Sequence, residues 1–307
     1  MALRRSARSR TAPSADEPSP PPAAAPHVPR SFWPSFPPRH YLGQLQPHFQ
    51  AALAAERADL TRDDCDWYHT AVLRSGEVIP GAWDLRGGEE NYLGGTDVAG
   101  QRVLEFGPAT GYLTYWMEDQ GADVVCVDAG FDVSIDILPV PGNDLREIRM
   151  GAMRGIGAVQ NSWWYLHHER QSKASTVYAP IYDLPADIGM FDVTTFGAIL
   201  LHLRDPFSAL AQGAIHTHRR IIVTDLIQDT DVDPDQNVMR PDPLGALEHR
   251  TNWWAIFPGA VRQMLKRVGF TETQTFFHTQ KHHLGHRLDE PPTEMTMFTV
   301  VADRPAA

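Results

Sequence analysis

The 307-residue chain holds only two cysteines, Cys65 and Cys126. Two cysteines cannot build a disulfide framework. Cys126 sits inside Val124-Val125-Cys126-Val127 and reads as a small buried hydrophobe. Neither cysteine has a local nucleophile motif, which argues against a catalytic thiol. No stretch approaches the roughly 20 apolar residues of a membrane helix. A secretory signal needs a continuous apolar region near the N-terminus, and the chain has none there. The expectation is a cytoplasmic protein without a membrane span. Also missing are the Gly-Lys-Ser/Thr of a phosphate-binding loop, the Gly-x-Gly-x-x-Gly of dinucleotide folds and the His-Glu-x-x-His of zinc proteases. The pair His167-His168 and the group His278, His282, His283 and His286 therefore read as solvated histidines, and no metal is expected.

Positive charge is scarce: the net charge is −11. Residues 1–30 hold five arginines against Asp16 and Glu17, a local charge of +3 that leaves −14 for the remainder. So acidic a body repels phosphate backbones and argues against a nucleic-acid partner. Hydrophobic residues make up 42%, ordinary for a globular protein with a core. Residues 1–38 are rich in Pro, Ala, Ser and Arg and cannot bury enough apolar surface to offset their ordering entropy. They read as a disordered tail. Residues 39–98 read as a cap segment: Gln46 to Arg57 has helical spacing, and Asp66-Trp67-Tyr68-His69-Thr70 is strand-like.

From Gln101 strands and helices alternate. Val103 to Phe106, Asp123 to Val127, Phe191 to Ile199, Ile221 to Thr224 and Met297 to Val301 read as strands. Tyr112 to Gln120 reads as a helix closed by Gly121. Another helix starts with Asp205 as N-cap and Pro206 at its first position, and a late one follows Pro258 and stops at Gly269. Such βα repetition predicts an α/β domain over 99–307: a mostly parallel sheet with helices on both faces. A helical insertion interrupts it at about 131–177.

The stretch that carries chemistry is Val103-Leu104-Glu105-Phe106-Gly107-Pro108-Ala109-Thr110-Gly111, where the first strand of this series meets its helix. Glycines at 107 and 111 let backbone approach a ligand. In an open parallel sheet, ligands sit beyond the carboxyl ends of strands at the switch point. The next strand ends at Asp128, whose carboxylate can accept both hydroxyls of a ribose. Glu105 suits a cationic group, such as a methionine amino group, and would repel a pyrophosphate.

This E-x-G-x-x-x-G pattern resembles motif I of class I S-adenosylmethionine methyltransferases. The resemblance implies a seven-stranded Rossmann-like sheet and S-adenosylmethionine as cofactor. It implies cofactor contacts from Glu105, Gly107, Ala109, Gly111, Asp128, Ala129, Ile181, Tyr182 and Gly197. Many members have an acidic residue where this chain has Pro180, which leaves the adenine to backbone groups of Ile181 and Tyr182. Over residues 65–272 the chain looks most like the tRNA wobble-uridine carboxymethyltransferase group, through Trp67-Tyr68-His69, motif I, Ile181 to Pro185, His202 to Pro206 and Arg250 to Pro258. Those enzymes hold a carboxylated cofactor with lysine, tyrosine and arginine. Here the tyrosine position is Leu201, and Gly76 to Trp83 contains no lysine or arginine. Plain S-adenosylmethionine is the better expectation, because a buried unpaired carboxylate is costly.

Methyl transfer from a sulfonium is an in-line displacement, and a base is required only when the acceptor must first lose a proton. His202, His69 and Asp225 are the candidate catalytic residues. A structural hydrogen-bonding role is the stronger reading for His202. Tyr68, Trp163, Trp164, Trp253 and Trp254 are candidates for an aromatic cap over a small-molecule acceptor. Packing of either tryptophan pair onto the sheet is the equal alternative. A wobble-uridine modifying enzyme and a cofactor-binding regulator without turnover are the competing functions.

Overall fold

Val103-Leu104 and Val124 to Val127 are apolar at consecutive positions, the pattern of strands covered on both faces. They occupy the middle of the sheet. The computed structural model describes residues 42–130, 135–139, 142, 144–228, 233, 235–242, 252–283 and 287–305. The expected tail over 1–38 and His286 lie outside the described residues.

In chain order the elements are α1 (Pro47–Glu56), β1 (Ala71–Val72), β2 (Val78–Ile79), β3 (Trp83–Asp84), α2 (Glu89–Tyr92), β4 (Arg102–Phe106), α3 (Tyr112–Asp119), β5 (Asp123–Asp128) and α4 (Leu145–Arg170). They continue with β6 (Ser175–Tyr178), β7 (Phe191–Gly197), α5 (Pro206–Ile215), β8 (Thr217–Leu226), β9 (Met239–Pro241), β10 (Trp254–Ile256), α6 (Pro258–Arg267), β11 (Glu272–His282) and β12 (Thr293–Asp303). The main sheet has the order β3-β11-β12-β8-β7-β4-β5-β6. Strands β8, β7, β4, β5 and β6 are mutually parallel. The last strands, β11 and β12, run antiparallel to their neighbours.

The expected α/β architecture is present, with eight strands instead of seven. The extra strand is the two-residue β3, which pairs only Trp83 and Asp84 with the end of β11. The third parallel strand is Ser175–Tyr178, so Ile181 to Pro185 is the loop that follows it.

Alternation divides the core. Leu104, Phe106, Val125, Val127, Ile221 and Val223 pack with Leu210 of α5 and Leu265 of α6. Val103, Val124, Cys126 and Ile222 pack on the other face with Leu113 and Met117 of α3 and Trp163 and Trp164 of α4. Asp205 caps α5 as its sequence predicts, accepting from Ser208 N–H at 3.0 Å. The insertion is a 26-residue helix, α4, started by Asp144, which accepts from the amides of Arg146 and Glu147. It ends at Gln171 in the left-handed region.

Chain order runs β4-β5-β6 towards one edge and β7-β8 towards the other. The switch point therefore lies between β4 and β7, and the turns after these strands leave a crevice there.

Candidate active site

A cavity of about 460 Å³ occupies that crevice, in the size range of small-molecule sites. Its floor is the ends of β4, β5 and β7: Gly107 and Ala109, Val127 to Ala129, and Gly197 to Ile199. Ala179 to Tyr182 form one side.

Gly107 adopts φ +66°, and a Cβ there would stand 2.8 Å from Ile199 Cδ1. Ala109 and Ala198 also sit at positive φ, 50° and 48°, without being glycine. Such conformations cost energy and persist where the surrounding structure enforces them. Both residues line the cavity.

Asp128, at the end of the neighbouring strand β5, lines the same space as the turn at Gly107 and Ala109. Its Oδ1 accepts from Ala129 N–H at 2.7 Å. Gln160 of α4 also bonds its carboxyl, and donates to Ala129 O at 2.8 Å. Burial pushes the Asp128 pKa up to about 6, against the pull of these two donors. Gly155, Ile156 and Val159 complete the wall that α4 provides. The insertion therefore does close over the crevice, but through its middle turns.

The roof comes from the segment before β4. Trp67 to Thr70 runs beside Ala82 and Trp83, with Trp83 N–H donating to Tyr68 O and Thr70 N–H to Trp83 O. The His69 amide is tied to Thr110 Oγ1 at 2.8 Å, which fixes this segment onto the motif turn. Asp66, Tyr68, His69, Trp83 and Leu85 thereby enter the wall. Tyr92 joins them because α2 is pinned to the sheet: Thr224 Oγ1 donates to Tyr92 O at 2.6 Å. His202 lines the cavity after β7. Burial lowers the His69 pKa to about 4, so its ring is neutral near pH 7. Among the described residues the buried His69 Nδ1 has no hydrogen-bond partner.

Of the residues expected from sequence, Gly107, Ala109, Asp128, Ala129, Ile181, Tyr182, Gly197, Tyr68, His69 and His202 share this wall. Seven do not. Glu105 points away from the cavity, beside Val103; Thr114 Oγ1 of α3 donates to its carboxylate at 2.5 Å. Burial pushes its pKa up to about 7. Gly111 faces Trp163, so its missing side chain serves packing. Trp163 and Trp164 are 3% and 1% exposed, and Trp164 donates to Tyr178 OH at 2.8 Å. Trp254 donates to Leu203 O at 3.0 Å, and Trp253 is likewise outside the wall. For Trp163 and Trp164 the packing alternative describes the arrangement, with both rings in the core and the Trp164 N–H satisfied by Tyr178. Trp253 and Trp254 are half-buried outside the wall, and among the described residues the Trp253 Nε1 has no hydrogen-bond partner.

Asp225 lies behind the wall, 2% exposed, with its Oδ1 accepting from Leu226 N–H at 2.8 Å. Burial pushes its pKa up to about 7. Sequence reasoning missed Asp66, Trp83, Leu85, Tyr92, Gln160 and Met297. For Asp66, Trp83 and Tyr92 the only signal was aromatic or carboxylate character in a segment without a period; Leu85, Gln160 and Met297 carried none.

Among the described residues no group of three or more His, Cys, Asp or Glu is placed to hold a metal ion, and no helix is long and apolar enough to cross a membrane. The wall contains no lysine or arginine.

Glu105, Asp128 and Asp225 all titrate higher in the fold than unfolded carboxyls, which do so near 4. The folded state thus carries extra protons between these values. Stability of the ligand-free protein is expected to be greatest at the acid end of that window. It should fall as pH climbs through 6 to 7, then level off. Thermal unfolding at pH 5 and pH 7.5 measures this; a higher midpoint at pH 7.5 would contradict the burial assigned to these groups.

The strand order, the antiparallel β11–β12 pair and a cavity at the switch point define a doubly wound, Rossmann-like α/β fold. No family model matches the chain. It is 26% identical over 192 residues to a tRNA U34 carboxymethyltransferase of Trichlorobacter lovleyi, covering 60% of this chain and 51% of that protein. The chain thus spans about half the length of the relative it matches. Similar solved structures include the magnesium protoporphyrin IX methyltransferase of Synechocystis PCC 6803 with bound SAH, at 16% identity over 68% of this chain and 76% of that one, TM-score 0.41. Another is the 1,6-didemethyltoxoflavin-N1-methyltransferase of Burkholderia thailandensis with 1,6-didemethyltoxoflavin and S-adenosylhomocysteine, at 15% identity over 72% and 78%, TM-score 0.43.

Proposed function

We propose that this chain is a cytoplasmic S-adenosylmethionine-dependent methyltransferase acting on an O or N atom of a small molecule. The observation that carries it is one cavity lined both by Asp128, at the end of β5, and by the strained turn at Gly107 and Ala109 after the neighbouring β4. That pairing suits a nucleoside whose ribose hydroxyls meet a carboxylate while its tail follows the motif turn. A dinucleotide fits poorly, because the turn lacks the Gly-x-Gly-x-x-Gly with which dinucleotide folds bring backbone amides to a pyrophosphate. When bound, S-adenosylmethionine supplies a methyl carbon activated by its sulfonium. The protein's own part is to grip the ribose through Asp128 and Ala129, seat the adenine beside Ile181 and Tyr182, and hold the acceptor in line. Tyr68 and its neighbours exclude water from the wall. His69 lines the wall with its ring neutral, placed to accept a hydrogen bond from an O–H or N–H of the acceptor and not to remove its proton.

A second reading, a wobble-uridine modifying enzyme, is favoured by the similarity to the Trichlorobacter protein. Against it, Leu201 stands at the tyrosine position, and no cation in the wall pairs with a carboxylated cofactor.

Calorimetric titration with S-adenosylmethionine, followed by mass spectrometry of product mixtures, tests the proposal. Binding of NAD in preference, or of neither, sinks it. The affinity for S-adenosylhomocysteine is expected to rise about tenfold from pH 5 to pH 7.5, because ribose hydroxyls prefer the ionised form of Asp128. An Asp128→Asn protein should lose that dependence.

A further inference from the structure

Once the ribose, adenine and tail are assigned to Asp128, Ile181, Tyr182 and the motif turn, part of the cavity wall is left over. It consists of Tyr68, Trp83, Leu85, Tyr92 and Met297, beside Gly197 and His202. This remainder lies where β7 ends, next to β8 and β12. The hydroxyl of Tyr92 stands at its inner corner: a Cβ on Gly197 would lie 3.1 Å from it. Trp83 is held by His282, ring centroids 4.2 Å apart, and bonds the Tyr68 hydroxyl. Asp225 is buried behind these rings, close enough for its charge to act on both Tyr68 and Tyr92. Its Oδ2 is buried without a hydrogen-bond partner among the described residues.

Resting on the methyltransferase reading, we propose that this aromatic subsite takes an amine and that the enzyme methylates nitrogen. Charge decides between nucleophiles. An oxygen nucleophile, phenol or carboxylic acid, attacks as an anion or becomes one on the way. The charged side chains in the wall are Asp66, Asp128 and Asp136, all of one sign; Asp136 is paired with Arg204, which lies outside the wall. None of these aspartates, nor Asp225 behind, stabilises an anion. Nor is His69, with its depressed basicity, suited to making a phenolate.

An uncharged amine needs neither. Its lone pair forms the N–C bond as the C–S bond breaks. Sulfur keeps the broken pair and becomes a neutral thioether, and the positive charge passes to nitrogen. Any N–H proton of the resulting ammonium leaves later to solvent. Charge thus moves from one cation to another, and aromatic faces with a carboxylate behind them favour a cation on that nitrogen. Methylammonium groups are recognised by such ring sets in water-poor sites.

The test uses the full chain saturated with S-adenosylhomocysteine, whose own titration first checks the methyltransferase reading. Failure there sinks that reading. With the cofactor product bound, three probes are titrated: benzyltrimethylammonium, uncharged benzyl alcohol and anionic phenylacetate. The cation is expected to bind about tenfold or more tighter than either other probe. Asp225→Asn is expected to shrink that preference to a few-fold. Equal or tighter binding of phenylacetate or benzyl alcohol, or no binding of the cation, overturns the amine proposal and leaves the cofactor assignment standing. A full cation preference retained in Asp225→Asn overturns the part assigned to the buried carboxylate.

Discussion

An Asp128→Ala protein is expected to bind S-adenosylhomocysteine roughly a hundredfold more weakly than the parent while melting no lower. Two hydrogen bonds from ribose hydroxyls to an ionised carboxylate are each worth about 1.5–3 kcal/mol. Losing about 3 kcal/mol corresponds to a factor of a hundred or more. The second half of the expectation separates a ligand group from a structural one. In the ligand-free fold the carboxyl is buried enough to raise its pKa to about 6, so it opposes folding near neutral pH. Its protein partners are the adjacent Ala129 amide and Gln160, and Gln160 keeps a second bond to Ala129 O. Removing the side chain therefore strands little. Calorimetry gives the affinity and differential scanning the midpoint. Unchanged affinity would remove the ribose from Asp128 and with it the orientation of the whole ligand.

The sheet was largely legible from sequence because its central strands carry consecutive apolar residues and their helices carry caps: Asp205 before Pro206, Gly269 after the helix from Pro258. Strand β11 was not. Its sequence Glu-Thr-Gln-Thr-Phe-Phe-His-Thr-Gln-Lys-His has no apolar alternation, since most of its residues keep solvent contact near the sheet edge. Its histidines therefore read as a loose cluster. The motif turn was legible at Gly107 through glycine's tolerance of positive φ. Ala109 and Ala198 adopt the same region with a Cβ, and no residue type announces that.

The direction of side chains was the least legible quantity. Glu105 is one position from Phe106, yet strand alternation sends it to the α3 face, where Thr114 binds it. On the 26-residue α4, which face meets the sheet depends on where the helix crosses it. The tryptophans at 163 and 164 consequently became core, while Gly155, Ile156 and Val159 met the cavity. Tyr92 and Trp83 entered the wall through main-chain pinning of α2 and β3, contacts over more than a hundred residues in sequence that no local pattern encodes.

That redistribution of roles gives Gly111 the other large effect. Sequence spacing assigns it to ligand approach, whereas in the fold its Cα faces Trp163 and Tyr115. A Cβ would stand 2.6 Å from Trp163 Cδ1 and 2.6 Å from Tyr115 Cε2, and the backbone there has φ +84°. Neither ring has room to retreat. Trp163 is 3% exposed and packs edge-on against Trp164 at 4.9 Å; Tyr115 OH donates to Trp163 O at 2.5 Å. Gly111→Ala is therefore expected to cost about 1–2 kcal/mol in backbone strain and about 1–3 kcal/mol in overpacking. At about 2 °C per kcal/mol for a domain of this size, that lowers the melting midpoint by roughly 4–10 °C. Affinity of the folded fraction for S-adenosylhomocysteine should stay within about threefold, because Gly111 is not part of the cavity wall. Trimming the opposing ring in the double variant Gly111→Ala, Trp163→Leu should recover part of the loss relative to the sum of the two single changes, a coupling expected only of groups in contact. A Gly111→Ala protein that melts normally but loses its ligand would return this glycine to the binding turn and overturn the packing role of Trp163.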